Sequence, residues 1–321
     1  MGKSLKWVVT GGAGYIGSHV VRALMDAGIE PVIVDDLSSG HESFVPAGVT
    51  FVRGSLLDVD VLRSGFVGGV NGVIHLAGYK YAGESVSRPL HTYEQNVTGT
   101  VNLLRVMEET GVENYVFSSS AAVYGTPVEE TVTEASVTHP ESPYGETKLI
   151  GEWLMADQVK ARGLRATALR YFNVVGSGSP DLGDTSPHNL FPLLFRALTT
   201  GSIPHVNGVD YDTPDGSCVR DYVHVVDVAA AHVIAARKLS AGIKLESIYN
   251  LGAGNGTSVL DIMTAASRVT GHAFEPEFRP RRAGDPARIV ASGALAARDL
   301  DWTNTHTVEQ MLESAWAAYR Q

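Results

Sequence analysis

The chain has 321 residues, long for one core and ample for two domains, and its 44% hydrophobic and 19% charged content is that of a globular protein. No apolar run approaches the ~20 residues of a membrane span, so no membrane partner is expected. A formal charge of -10 argues against nucleic acid, whose phosphates demand a basic footprint, but leaves room for a small anion held by a few Arg side chains.

In chain order, Leu5 to Thr10 reads as a short buried strand. The run Gly-Gly-Ala-Gly-Tyr-Ile-Gly follows, then a helical pattern closing at Gly28. Within that run Gly12, Gly14 and Gly17 match the dinucleotide fingerprint. The turn needs residues without a Cβ so that backbone N–H groups can approach a pyrophosphate at the helix N-terminus. A second strand, Pro31 to Val34, ends at Asp35, 18 residues beyond Gly17, where a carboxylate can accept from ribose hydroxyls. Asp35 and Asp36 together would repel a 2′-phosphate, which selects NAD over NADP. Further strands read at Phe51-Val52, Gly72 to Leu76, Tyr115 to Phe117 and Ala166 to Arg170, with a helix from His91 to Thr110 between them. This alternation predicts an α/β fold with a doubly wound, Rossmann-type parallel sheet. Ligands of such sheets sit beyond the strands' carboxyl ends, which singles out Ala77-Gly78, Ser118 to Ser120 and Tyr171-Phe172-Asn173.

Pro143 to Lys148, Pro-Tyr-Gly-Glu-Thr-Lys, is the most informative stretch. Ser142 suits a helix cap and Pro143 a first helical position, so Tyr144 and Lys148, four residues apart, share one face. A phenol titrates near ~10, and a neighbouring ammonium lowers that value while burial raises it. For Tyr144 to serve as a base, charge has to outweigh burial. An isolated Tyr-x-x-x-Lys is ordinarily a surface pair; the nucleotide turn and the strand ends give this one its context.

Past Asn173 the texture changes to a loop rich in Gly, Ser, Pro and Asp (176–188) and shorter elements. We expect a nucleotide domain over 1–173 and a smaller mixed α/β substrate domain over 174–321, with helices at Val226 to Lys238, Ser258 to Gly271 and Val308 to Tyr319. The single cysteine, Cys218, leaves no intrachain disulfide and no cysteine-based zinc site, and the N-terminus shows no secretory apolar region, so a reducing cytoplasm is expected. The eleven histidines show no metal-ligand spacing, His75 and His224 read as structural, and no Gly-x-Ser-x-Gly follows a strand.

These residues resemble the extended short-chain dehydrogenase/reductases and, within them, the UDP-glucose (UDP-galactose) 4-epimerases. The likeness rests on Thr-Gly-Gly-Ala-Gly-Tyr-Ile-Gly-Ser-His (10–19), His-Leu-Ala-Gly (75–78), Gly-Glu-Ser-Val (83–86), Asn-Val-Thr-Gly-Thr (96–100) and Ser-Ser-Ser-Ala-Ala-Val-Tyr-Gly (118–125). Leu-Arg-Tyr-Phe-Asn (169–173), Val-Arg-Asp-Tyr-Val-His (219–224) and Arg-Arg-Ala-Gly-Asp (281–285) extend it through the second half. The resemblance implies NAD-dependent inversion at C4 of a UDP-hexose through a 4-keto sugar that turns over within the site. It implies Tyr144 as base and later acid, Lys148 lowering the Tyr pKa and bonding the nicotinamide ribose, and Ser120 on the same sugar oxygen.

By the same resemblance the cofactor contacts are Gly11, Gly14, Tyr15, Ile16, Gly17, Asp35, Leu56, Leu76, Ala77, Lys80, Asn96, Ser118, Tyr144, Lys148 and Tyr171. Ser55 stands where relatives more often carry an Asp that touches adenine. Substrate contacts fall on Ser120, Tyr144, Asn173, Asn189, Leu190, Arg220, Arg282 and Asp285, with His205 and Asn207 lining the uridine pocket. No metal is implied. A wall position that sets tolerance of N-acetyl groups falls on Ile289, intermediate in size, so UDP-N-acetylglucosamine and UDP-glucuronate stay open as alternative substrates. Family members commonly dimerise through helices that here would span 91–110 and 143–162, so a homodimer is expected. A 4,6-dehydratase would need an Asp-Glu pair where Ala121-Ala122 stand, and a non-catalytic NAD sensor would have lost Tyr144 or Lys148.

Overall fold

The computed structural model describes residues 5–282 and 285–321. They divide into two compact units that interleave along the chain. The first takes the chain through Val123, then Pro140–Arg170 and Ala229–Tyr249; the second takes Tyr124–His139, Tyr171–Val228 and the chain from Asn250 onward.

In the first unit β1 (Lys6–Thr10), β2 (Glu30–Asp35), β3 (Thr50–Arg53), β4 (Gly72–His75), β5 (Asn114–Ser120) and β6 (Arg165–Tyr171) lie in the order β6-β5-β4-β1-β2-β3. Ile248–Leu251 adds a seventh strand beyond β6. β1 pairs in parallel with both β2 and β4. Trp7, Val8, Val9, Val32, Ile33, Val34, Val73 and Ile74 are all buried, the unbroken apolar runs that a parallel sheet covered on both faces requires. The winding direction reverses between β1 and β4, and ligands of such sheets bind beyond the strand ends at that point.

The helices of this unit are α1 (Tyr15–Asp26), α2 (Val59–Gly65), α3 (Ala82–Ser87), α4 (Pro89–Tyr93), α5 (Gly99–Thr110) and α6 (Pro143–Arg162). Leu62, Leu103, Val106, Met107 and Met155 bring α2, α5 and α6 into one cluster with Val8, Val34 and Phe117. α6 begins as its residues dictate: Ser142 Oγ accepts from Gly145 N–H, Pro143 opens the first turn, and Gly163 ends the helix at φ +71°. The expected helix from His91 to Thr110 is not continuous. Glu94–Thr98 winds as a π-turn between α4 and α5, and this widened turn carries the buried Asn96. Single π-turns of this kind occur frequently at functional sites.

The second unit is built on Val219–His224. That strand pairs antiparallel with Gly256–Ser258 and in parallel with Asn173–Val175 and Arg288–Ile289. His205–Asn207 pairs in parallel with Glu277–Arg279. Helices Leu190–Thr200, Val259–Thr270 and Val308–Tyr319 close over a core of Phe191, Phe195, Tyr222, Ile262, Met311, Leu312 and Trp316. The last two of these helices start with capping boxes, Ser258 with Asp261 and Thr307 with Gln310. Helix Val225–Ser240 runs from this unit into residues of the first.

Candidate active site

The glycine turn after β1 is shaped by close approach. Gly11 has φ +72°, and a Cβ there would lie 2.7 Å from Ala77 N; one on Gly17 would lie 2.0 Å from Gly11 O. The turn residue is therefore Gly11, three before Gly14 and six before Gly17, while Gly12 makes room for Ile33, whose side chain a Cβ would meet at 2.9 Å. Gly14 is the N-cap of α1, and no side chain caps that helix. Its first N–H groups thus face the turn ready for an anion. Tyr15, buried, and Ile16, half-buried, form the first turn of α1. Asp35, at the end of β2, accepts from Ala13 N–H at 2.9 Å and Leu37 N–H at 2.8 Å, which fixes the carboxylate beside the turn. Burial pushes its pKa up, and those two backbone donors oppose the rise.

At the head of α6 the predicted trio comes together. The Ser120 side chain, whose Oγ accepts from Ala122 N–H at 3.2 Å, lies close enough to the Tyr144 phenol to act on its titration. Lys148 is buried, donates to Ser118 O at 2.9 Å, and lies 5.8 Å from the Tyr144 ring centre. Burial pushes the Tyr144 pKa up, with the Ser120 side chain working the other way. Burial also pulls Lys148 down to about 8 while the Glu152 charge holds it up. The protein's own groups leave Tyr144 above its ordinary value, so a phenolate at neutral pH requires further positive charge brought to the ring.

Three residues without a sequence-derived role hold this trio. Ser85, from the Gly-Glu-Ser-Val motif, accepts the Tyr144 backbone N–H at 3.1 Å. Thr147 Oγ1 donates to Tyr144 O at 2.8 Å and accepts from Asn96 Nδ2 at 2.8 Å. Glu152 accepts from Ser119 and Arg170 in the interior. Ser85 and Thr147 stood inside quoted motifs without a role of their own, and Glu152 carried only its four-residue spacing from Lys148.

Among the other predicted cofactor positions, Asn96 clasps the Tyr79 backbone, accepting its N–H at 2.6 Å and donating to its carbonyl at 3.0 Å. With the bond to Thr147, its amide donors are engaged on both sides. Leu76 and Ala77 follow β4 and meet Thr10 through their N–H groups. Lys80 is exposed and its charge reaches Asp35. Ser55 Oγ accepts from Leu57 N–H at 3.2 Å, which leaves its own O–H to donate, and Leu56 packs beneath it against Gly99. The Ser118 hydroxyl is joined to His232 Nε2 at 2.7 Å in the interior, so this residue meets Lys148 through its carbonyl alone. Tyr171 ends β6, half-buried.

The predicted substrate residues lie in the second unit. Arg220 donates to Pro286 O at 2.8 Å and pairs with Asp285 at 3.5 Å; Ile289, buried, is its register partner. Asn207, with its amide turned to satisfy both groups, accepts from Arg282 Nε at 3.0 Å and Nη2 at 3.1 Å. His205 heads the same strand, and burial followed by Arg279 and Arg282 lowers its pKa. Asn189, at the N-cap of Leu190–Thr200, donates to Asp184 at 2.7 Å, and Asn173 is exposed beside Tyr222. Ala283 and Gly284, the middle of the Arg-x-Gly-Asp motif, lie outside the described residues.

The profile of the NAD dependent epimerase/dehydratase family matches residues 7–252. The chain belongs to that family. It is 42% identical over 316 residues to the UDP-glucose 4-epimerase of Streptomyces lividans, a match covering 97% of this chain and 95% of the relative. The crystal structure of UDP-glucose 4-epimerase from Brucella ovis in complex with NAD superposes with a TM-score of 0.93 at 40% identity over 98% of each chain. That of the Bifidobacterium longum enzyme with NAD+ and UDP gives 0.89 at 34% identity, again over 98% of each chain. The matched residues include both the glycine turn after β1 and the Tyr-x-x-x-Lys face of α6.

Proposed function

We propose that this protein interconverts UDP-galactose and UDP-glucose by inverting C4 of the hexose, with NAD as resident cofactor. The observation that carries the reading is the meeting of Ser120, Tyr144 and Lys148 in one cluster, in the unit that also holds the glycine turn. The residues fit the cofactor: at Gly11 and Gly17 a Cβ would run into backbone, α1 is left uncapped, and Asp35 stands ready for ribose hydroxyls. Gly11, Gly14, Tyr15 and Ile16 would hold the pyrophosphate, Asp35 the adenosine ribose, and Lys148 the nicotinamide ribose. When bound, NAD supplies a hydride acceptor and donor, which lets a carbon with no acidic proton invert through a 4-keto sugar.

Tyr144 takes the proton from the O4 hydroxyl and later returns it. Ser120, beside the same phenol, would bond the sugar oxygen and offer a path for that proton. Lys148, fixed by Ser118 O, adds positive charge beside the phenol, and the further charge the phenolate requires would come with the bound cationic nicotinamide. Arg220 and Arg282 supply guanidinium forks for the diphosphate, and Asn207 and Asp285 hold them in orientation. Ile289, buried beside Arg220, stands at the wall position that would set how large a substituent the sugar can carry. The protein acts as a homodimer in a reducing cytoplasm, a reading supported by the exposed Leu90 and Trp153 on α4 and α6 and by the single buried thiol, Cys218.

Purified protein, with and without added NAD, is assayed on UDP-galactose and UDP-N-acetylgalactosamine, alongside Tyr144→Phe. UDP-galactose is expected to convert, and Tyr144→Phe to lose roughly 10²- to 10⁴-fold in rate while retaining NAD. Near-normal turnover by the variant would reject Tyr144 as base. Equal turnover of the N-acetylated sugar would reject Ile289 as a closed wall.

A further inference from the structure

A buried ion pair lies one helical turn beyond Lys148. Glu152 follows Lys148 by four residues on α6, so Tyr144, Lys148 and Glu152 share one helix face. The side chains of Glu152 and Arg170 are only 4% and 3% exposed. Glu152 Oε1 accepts from Ser119 Oγ at 2.5 Å and from Arg170 Nε at 2.8 Å, and Oε2 accepts from Arg170 Nη2 at 2.5 Å. Ser119 follows Ser118 on β5, and Ser118 O receives the Lys148 ammonium at 2.9 Å. Carboxylate and ammonium are thus tied to adjacent residues of one strand.

Such a pair is a poor device for stability alone. Desolvating two charges cancels much of their attraction, and well-packed apolar side chains of similar volume serve as well or better. Its place beside Lys148 gives it another use. Burial disfavours the ammonium, and Glu152 is the carboxylate that opposes this. The other titratable groups facing Lys148 are Tyr144 on the same helix and His75 on β4, with Arg170 reaching it through Glu152.

We propose that Glu152 is a positioning residue that keeps the Lys148 ammonium charged and fixed beside Tyr144, with Arg170 setting how much of the carboxylate's field Lys148 feels. The proposal rests on the reading of Tyr144 as the proton acceptor. Without the Glu152 charge, Lys148 releases its proton at lower pH, Tyr144 loses its cationic neighbour, and the phenolate forms only at higher pH.

The test compares wild type, Glu152→Gln and Glu152→Asp in the pH–rate profile of UDP-galactose conversion. Tyrosinate absorbance titrations accompany it, each protein read against the same protein carrying Tyr144→Phe. In Glu152→Gln the rising limb of the profile is expected to move up by about one pH unit, a loss of about tenfold near neutrality that recovers in alkali. The Tyr144 titration is expected to move in the same direction, and Glu152→Asp, which keeps the charge, to return both towards wild type. Should Arg170 left without its partner prevent folding, the neutral pair Glu152→Gln with Arg170→Met replaces the single variant, with a smaller shift of the same sign. A loss equal at every pH with an unmoved Tyr144 titration would overturn the proposal. A moved titration with an unmoved rate profile would uphold Glu152 and reject Tyr144 as the base.

Discussion

His75 shows how a titratable side chain beside the site is kept out of the chemistry. Thr100 Oγ1 donates its hydrogen to Asn96 O at 2.6 Å, so it can only accept from His75 Nε2, 2.9 Å away. Nδ1 is then the acceptor for the Thr10 hydroxyl at 2.7 Å. Both ring nitrogens are matched in the neutral tautomer, and burial, followed by the Lys148 charge, lowers the His75 pKa to about 3. The unfolded chain takes up this proton near the ordinary 6.5 and the folded chain only near 3, so His75 contributes nothing against stability above the first value and progressively more as pH falls towards the second. The urea midpoint of wild type is expected to drop between neutral pH and about pH 4, and that of His75→Gln to drop less. Equal slopes for the two proteins would remove His75 from the acid response. The structural role of His75 was legible from its place at a strand end. Its two threonine partners were not, because they stand 65 residues before and 25 after it.

At the scale of elements, the turn from β1 to α1 leaves no room for side chains. In Gly17→Ala the new Cβ would meet the Gly11 carbonyl oxygen at 2.0 Å, and backbone cannot yield as a flexible side chain can. Overpacking of this kind costs about 1–3 kcal/mol, and here the distortion falls on the N–H groups meant for the pyrophosphate. NAD affinity measured by calorimetry is expected to fall by at least about tenfold in Gly17→Ala, with the melting temperature also lowered. Unchanged affinity would place the pyrophosphate elsewhere. This turn and the start of α6 were readable because their signals are local: missing Cβ atoms, a Ser cap, a Pro at the first position. The π-turn at Glu94–Thr98 has no such signal, since it accompanies the contact of Asn96 with Tyr79 and Thr147. The pairing of Glu152 with Arg170 was hidden for the same reason, as it joins α6 to β6 across the fold.

For the whole molecule, the parallel, doubly wound sheet was legible in the βαβ alternation, but its strand order and the interleaving of the two units have no local mark in the sequence. Among the described residues no helix is long and apolar enough to cross a membrane. The first unit leaves Leu90 84% and Trp153 59% exposed on α4 and α6, helices linked by the Tyr93 hydroxyl and Glu146. Burying that face against a second copy would remove two large apolar side chains from water, and stable interfaces bury ~800 Å² per partner. In sedimentation, wild type is expected to run as a dimer and Trp153→Glu to shift towards monomer; a dimer in both would move the interface to another face.

The most direct test of the central claim follows an isotope. UDP-galactose carrying deuterium at C4 is converted in ordinary water, and the C4 label of the product UDP-glucose is read by mass spectrometry. Inversion through a 4-keto sugar held in one site returns the same hydride, so the product is expected to keep its deuterium. Product that carries solvent hydrogen at C4, or no product even with NAD supplied, would contradict the account.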